Sequence, residues 1–337
     1  MPFEIMETVF RIPEDGELPL VGCITFGLID RGTNIIQVRP ISGCNLNCIY
    51  CSVDEGVNTK TRATSYIVDL DYLMEWFSEL AKLKGEVEAH IDGCGEPMLY
   101  KKFLDLVSSL SDVKEVKTIS VQTNGMLLNE SKIDELAEAG LNRINLSINS
   151  MNPELSKQIS GSAAYDIEKI IETAKYIAKS KIELLIAPVY ISGVNENEMT
   201  GIIKFAKGLG CSKMWPSLGI QNFEAHRFGR KPKSAKNLTW WKFFRLLEQL
   251  EKQFDIKLKL DAKDFGIHKA PSLQTVFERG DKVRAIVRAP GWMMREMIAV
   301  AKDRCITVVN CENDIGDEVK IKILENKHNI YIAEKVK

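Results

Sequence analysis

Three cysteines fall within eight residues of one another in Gly43-Cys44-Asn45-Leu46-Asn47-Cys48-Ile49-Tyr50-Cys51, and this loop constrains the chain more than any other stretch. Thiolates are the usual ligands of a [4Fe–4S] cubane. Three of them on one compact loop can hold three corners and leave the fourth iron without a protein ligand. Structural zinc is the competing reading, but tetrahedral zinc sites usually join two Cys/His pairs, and no second pair with such spacing is present. A cluster used only for electron transfer would want a fourth cysteine, for which Cys94 is the candidate. The remaining cysteines, Cys23, Cys211, Cys305 and Cys311, are scattered. Met1 to Arg11 has no positive start followed by an apolar run, so no signal peptide is read and a disulfide framework is not expected. No stretch approaches the roughly 18 apolar residues that span a bilayer. The expectation is a cytoplasmic protein with no membrane contact.

The rest of the chain supplies the scaffold. Its 337 residues suit one large domain and a small one. A formal charge of −1 gives no general pull towards nucleic acid, so any such binding needs a local patch. Residues 1–33 read as an extended lead-in with a turn at Pro13-Glu14-Asp15-Gly16. From 34 to 225, apolar strand-like runs alternate with helical periodicity. Strands are expected at 35–38, 87–91, 116–121, 144–148, 182–189 and 214–218, with helices at 69–84, 103–110, 131–139, 167–178 and 196–207. Such alternation implies a parallel sheet with helical crossovers. About six βα units fall short of the eight of a closed barrel, so the expected α/β fold is a partial (β/α)6 TIM-like barrel. Residues 226–270 read as a basic linker followed by an amphipathic helix at 240–254. Residues 271–337 read as five short strands with turns, the rhythm of a small OB-like β-barrel.

The motif Cys44-x3-Cys48-x-Tyr50-Cys51 resembles the radical S-adenosylmethionine (SAM) superfamily signature, including its aromatic residue. Four further stretches are similar to that family's motifs, in order and at strand ends. Gly93-Cys94-Gly95-Glu96-Pro97 resembles its Gly-Glu-Pro motif, and Gln122-Thr123-Asn124-Gly125 its Thr-Asn-Gly turn. Ser147-Ile148-Asn149-Ser150 stands where the family places polar contacts. Val189-x-Ile191-x-Gly193-x-x-Glu196 resembles the stretch bordering adenine, with Val189 where glycine is frequent. The resemblance implies a [4Fe–4S] cluster on Cys44, Cys48 and Cys51, and SAM chelated at the open iron and cleaved to a 5′-deoxyadenosyl radical. It implies SAM contacts from Tyr50, Gly93, Gly95, Glu96, Pro97, Thr123, Asn124, Ser147, Asn149 and Ile191. It also implies a low-potential electron donor of ferredoxin or flavodoxin type. A fold does not fix a substrate.

Two features bear on substrate. Past the sixth expected strand, Gln221, Asn222, His226, Arg227, Arg230, Lys231 and Lys233 form a basic stretch interleaved with Phe223 and Phe228, suited to phosphate contact and base stacking. A solvated linker is the plainer reading. The C-terminal barrel resembles a TRAM domain, the module by which many RNA-modifying enzymes hold tRNA, and Lys282, Arg284, Arg288, Arg295, Lys302 and Arg304 are expected to give it a basic face. The plainer reading there is a cap on the catalytic domain. Together these favour tRNA or another structured RNA as substrate. A small metabolite or peptide, and a non-catalytic Fe–S RNA-binding protein, stay open as alternatives. Methylthiotransferases carry three more cysteines in a preceding domain, whereas only Cys23 lies upstream here.

Overall fold

A computed structural model describes residues 8–13, 16–210 and 214–336. Glu14 and Asp15 of the expected turn, and Cys211, lie outside the described residues. The chain divides into two compact units: one comprises residues up to Gly43, Thr59–Lys117 and the chain from Lys269 on, and the other Cys44–Asn58 and Thr118–His268.

In the first unit Ile35–Arg39 pairs antiparallel with Gly27–Asp30 and parallel with Val87–Ile91. The intervening Leu70–Lys84 helix starts where Asp69 caps it, its carboxylate accepting from the amides of Asp71 and Tyr72 at 2.9 and 3.4 Å. Its Leu73, Phe77, Leu80 and Ala81 are buried on one face. A second pair, Thr8–Ile12 with Thr64–Val68, runs parallel. The five expected C-terminal strands form a closed barrel. Lys282–Pro290, Glu296–Ala301 and Arg304–Val309 form a meander, and Ile332–Lys335 runs parallel to its third strand. Glu318–Glu325 closes the ring. Its interior is filled by Phe277, Val287, Ile306, Ile321, Tyr331 and their neighbours.

The barrel is tied to the rest of this unit by polar bonds. The Cys305 amide donates to the Val21 carbonyl and the Tyr331 amide to that of Gly22, both at 2.9 Å. The Tyr66 hydroxyl donates to the Pro290 carbonyl at 2.7 Å, with the ring fully buried against Phe26. The Arg62 guanidinium lies 3.5 Å above the Trp292 ring.

In the second unit the Val116–Thr123 strand from Thr118 on, Arg143–Leu146 and Glu183–Ile186 run parallel, joined through the Glu130–Glu138 helix and the Pro153–Ser160 and Ile167–Lys179 helices. The strand expected at 214–218 is reduced to one bridge between Ile186 and Leu218. Pro216 offers no amide and restricts the residue before it, so a ladder cannot extend there. The Met199–Leu209 helix and the Trp240–Phe254 helix complete the unit. Among the described residues no helix is long and apolar enough to cross a membrane.

Candidate active site

The cysteine loop belongs to the second unit and is held along its length. The Asn47 amide donates to the Ser160 carbonyl and the Ile49 amide to that of Ile159, both at 3.0 Å, so the end of the Pro153–Ser160 helix supports the loop from below. The Cys51 amide donates to the Cys48 carbonyl at 3.1 Å, closing the turn that carries these two thiols. Next to Cys44, Asn45 Oδ1 accepts from Asn124 Nδ2 at 2.8 Å, while Asn124 Oδ1 accepts from the Met126 amide at 3.0 Å. The Thr123-Asn124-Gly125 turn therefore grips the loop at its start, and Thr123 Oγ1 braces that turn by accepting from the Gly125 amide at 3.1 Å.

Cys44, Cys48 and Cys51 are all half-buried, and none is in a disulfide. Burial pushes the Cys48 thiol up to about 12 and Cys51 adds to the shift, with Tyr50 and the Arg230 charge acting against it. An iron taking this sulfur must displace a firmly held proton. Among the described residues no three His, Cys, Asp or Glu side chains gather as ligands of one ion. A cubane takes one thiolate per iron, so its three sulfurs need not converge on a point as the ligands of a tetrahedral zinc must. Three half-buried thiols on one braced loop, with no acid in the Cys44–Cys51 stretch, fit a three-thiolate cluster.

Behind the last cysteine, Tyr50 and Ile49 pack against Ile159, Ile191, Phe223 and Ala235. The Tyr50 hydroxyl accepts from Asn149 Nδ2 at 2.7 Å, and burial holds it well above the usual phenol range. Asn149 Oδ1 in turn accepts from the Val189 amide at 2.8 Å. Asn195 locks these strand ends together. Its Nδ2 donates to the carbonyls of Asn149 and Val189 at 2.8 and 2.9 Å, and its Oδ1 accepts from the Ile191 amide at 2.7 Å. Sequence reasoning missed Asn195, although a polar residue inside the Ile191-to-Glu196 stretch was its visible signal. Ser147 Oγ accepts from Gln122 Nε2 at 2.9 Å. Thus Tyr50, Thr123, Asn124, Ser147, Asn149 and Ile191 all lie in the unit that bears the cysteines.

Gly93 to Pro97 lie in the first unit. The Glu96 amide donates to the Gly43 carbonyl at 2.9 Å. Gly95 sits so close to that carbonyl that a Cβ would stand 1.7 Å from its oxygen, so only glycine fits. Glu96 is buried, and its carboxylate accepts from the Met98 amide at 3.1 Å, capping the Pro97–Leu99 turn. Beneath it, Arg39 forks onto Asp92 at 2.9 and 3.0 Å. Burial alone would raise the Asp92 carboxyl, but the guanidinium outweighs it and holds the group below the usual range.

The basic stretch divides. Arg227 stacks on the Phe228 ring at 5.0 Å and, with His226, Lys231 and Lys233, is exposed. Gln221 and Asn222 pair with Val189 and Tyr190, and Asn222 Nδ2 donates to the Leu238 carbonyl at 3.2 Å. Arg230 turns inward: its Nε contacts Asp54 Oδ1 at 2.6 Å. Of the cations expected to give the barrel a basic face, the four arginines are engaged. Arg284 pairs with Glu318 at 2.8 Å, Arg295 with Glu312 at 3.1 Å, and Arg288 with Glu17. Arg304 is buried and donates to the Asp303 and Gln274 carbonyls at 2.9 and 3.3 Å.

The model of the radical SAM superfamily matches residues 38–206, half of the chain. The chain belongs to this superfamily. It is therefore an enzyme whose cofactors are a [4Fe–4S] cluster and SAM, and its fold is the radical SAM α/β core with a partial TIM-like sheet, followed by a closed OB-like barrel. It is 44% identical to the "Uncharacterized protein MJ0103" of Methanocaldococcus jannaschii over 342 residues, covering 95% of this chain and 79% of that protein. It is 31% identical over 179 residues to the GTP 3′,8-cyclase of Limosilactobacillus fermentum, covering 53% of this chain and 52% of the cyclase. The radical SAM chain thus spans about half the length of the cyclase it matches. Among solved structures, "Native anSMEcpe with bound AdoMet" superposes with a TM-score of 0.53 at 20% identity, covering 81% of this chain and 77% of that one. Streptococcus suis SuiB gives 0.51 at 16%, covering 70% and 49%. These likenesses show the fold.

Proposed function

We propose that Cys44, Cys48 and Cys51 each ligate one iron, and that Tyr50, Gly93, Gly95, Glu96, Pro97, Thr123, Asn124, Ser147, Asn149 and Ile191 bind and orient SAM. The observation that carries this reading is the braced cysteine loop, on which Asn124 and Tyr50 are fixed by hydrogen bonds to Asn45 and Asn149. Bound together, the reduced cluster and SAM supply a 5′-deoxyadenosyl radical for hydrogen abstraction. This chain's own residues hold the donors in place and, through the apolar wall of Ile49, Ile159, Ile191 and Phe223, keep water away. Glu96 tests the SAM assignment. Glu96→Gln keeps an acceptor for the Met98 amide and removes the negative charge. It should weaken SAM binding by about 1.5–3 kcal/mol, the range for a hydrogen bond to a charged group, read by calorimetric titration of the cluster-loaded protein. An unchanged dissociation constant would mean the Gly93–Pro97 loop does not meet the SAM amino group.

The substrate in this reading is tRNA or another structured RNA, engaged through the stretch from His226 into the Trp240–Phe254 helix. Arg227, Lys231, Lys233 and Lys236 are exposed cations there. Phe228, Trp240, Trp241 and Phe244 are exposed aromatics, and Arg245 stands over the Trp241 ring at 5.1 Å. Cations beside open aromatic faces suit phosphates and stacked bases. The TRAM-like barrel contributes less than its composition suggests, because Arg284, Arg288, Arg295 and Arg304 are paired or buried. Affinity for tRNA should fall steeply with salt as counterions are released. Neutralising Arg227, Lys231 and Lys233 together should flatten the log–log slope by roughly 2–3 units while leaving substrate-free SAM cleavage intact. A shallow slope in the wild type would favour a second reading, a free nucleotide or other small metabolite, which the similarity to GTP 3′,8-cyclases supports. In this reading the enzyme works in the cytoplasm with a ferredoxin- or flavodoxin-type electron donor.

A further inference from the structure

Arg230 and its neighbour Gly229 are built against the cysteine loop from outside. The Arg230 amide donates to the Cys51 carbonyl at 2.7 Å. Its Nη1 donates to the Cys48 carbonyl at 3.1 Å, its Nη2 to the Glu55 carbonyl at 2.6 Å, and its Nε to Asp54 Oδ1 at 2.6 Å. Four donors of one residue thus close on residues 48–55, about 180 positions upstream. The approach is close enough that a Cβ on Gly229 would lie 2.7 Å from the Ser52 carbonyl oxygen and 2.8 Å from that of Cys51. Asp54, the anionic partner, is buried and held at a φ of 56°, a conformation that costs energy in a residue with a side chain. The loop does not take this shape on its own local merits.

We infer that Arg230 is a positioning residue for the cluster, a guanidinium clamp that fixes the Cys48–Cys51 turn and places a positive charge against the backbone of that turn. The planar fork explains why arginine stands here: three guanidinium bonds diverge to two carbonyls and a carboxylate, a pattern an ammonium cannot reproduce. A fixed cation beside a thiolate-ligated cluster favours its more negative, reduced state, in line with the dependence of such potentials on local charge and hydrogen bonding.

This inference rests on the cysteine assignment, and its test separates the two. Wild type, Arg230→Ala, Arg230→Lys and Asp54→Asn are reconstituted anaerobically. Three properties are then measured: resistance to an iron chelator, the electron paramagnetic resonance spectrum of the reduced cluster, and its midpoint potential. Arg230→Ala should lose iron at least tenfold faster and be harder to reduce. Arg230→Lys should restore the potential towards wild type but not the chelator resistance, and Asp54→Asn should weaken resistance with Arg230 still present. Circular dichroism of the apo-proteins checks that each variant folds. If Arg230→Ala melts earlier while its retained cluster keeps the wild-type spectrum, potential and chelator resistance, the residue is structural only and the inference falls. Wild type without a cluster would instead overturn the cysteine assignment.

Discussion

Replacing Cys44, Cys48 or Cys51 singly by alanine is expected to abolish the [4Fe–4S] cluster and all SAM cleavage, while Cys94→Ala keeps both. Wild-type protein reconstituted without oxygen should hold about four irons and four sulfides, the content of one cubane. In the proposed assignment each thiolate serves its own iron and one iron is without protein, so the effect should be all-or-none. A second bare corner leaves the cluster to solvent and chelators. Cys94 is differently placed: its sulfur is 3.6 Å from Arg39 Nη1 and 3.5 Å from the Ile24 carbonyl oxygen, inside the first unit. Iron and sulfide analysis reports the cluster, and chromatography of 5′-deoxyadenosine reports cleavage. Cluster loss in Cys94→Ala as complete as in the other three would mean four protein ligands and no open iron. SAM would then have nowhere to chelate, and the electron-transfer reading would stand.

The cysteine loop was legible because its chemistry is local: three thiols and an aromatic within eight residues need no tertiary information. The long helices were legible for a similar reason. Leu73, Phe77, Leu80 and Ala81 recur on one face of Leu70–Lys84, and Trp240–Phe254 likewise buries Phe243, Leu247 and Leu250. What sequence could not give was the destination of side chains whose partners are distant. Arg230 reads as one cation in a basic run, yet its acceptors at Cys48 and Glu55 are 182 and 175 residues away. The basic face expected of the barrel met the same obstacle. Arg284 lies beside Glu318 only because Lys282–Pro290 and Glu318–Glu325 are neighbouring strands, a register no local pattern announces. Two misses were avoidable. The Pro153–Ser160 helix carries the ordinary start signal of a capping Asn152 followed by Pro153, and Pro216 argued against a full sixth strand.

Lys84→Met should be strongly destabilising although it lies outside the apolar core. Lys84 ends the Leu70–Lys84 helix, and its Nζ donates to Asp30 Oδ1 at 2.6 Å and to the Pro271 carbonyl at 2.9 Å, both ionic side chains being fully buried. Asp30 also accepts from the Gly32 and Leu273 amides at 2.8 Å each. The pair thus joins a core strand, a helix and the segment leading into the barrel. Methionine fills the volume but leaves the carboxylate buried beside two amides with no counter-charge. Breaking a buried pair in this way costs about 3–5 kcal/mol. For a chain of this size that corresponds to a drop of roughly 4–7 °C in melting temperature. The contrast is Lys82→Met. Lys82 contacts Glu79 at 2.7 Å, nearly the same distance, but both side chains stand in solvent, where an ion pair adds little. Its melting temperature should match wild type. Thermal unfolding of both variants by circular dichroism decides the matter. Equal melting temperatures for Lys84→Met and Lys82→Met would mean that the Asp30–Lys84 pair does not hold the junction, and that the barrel's backbone bonds to Val21 and Gly22 hold it instead.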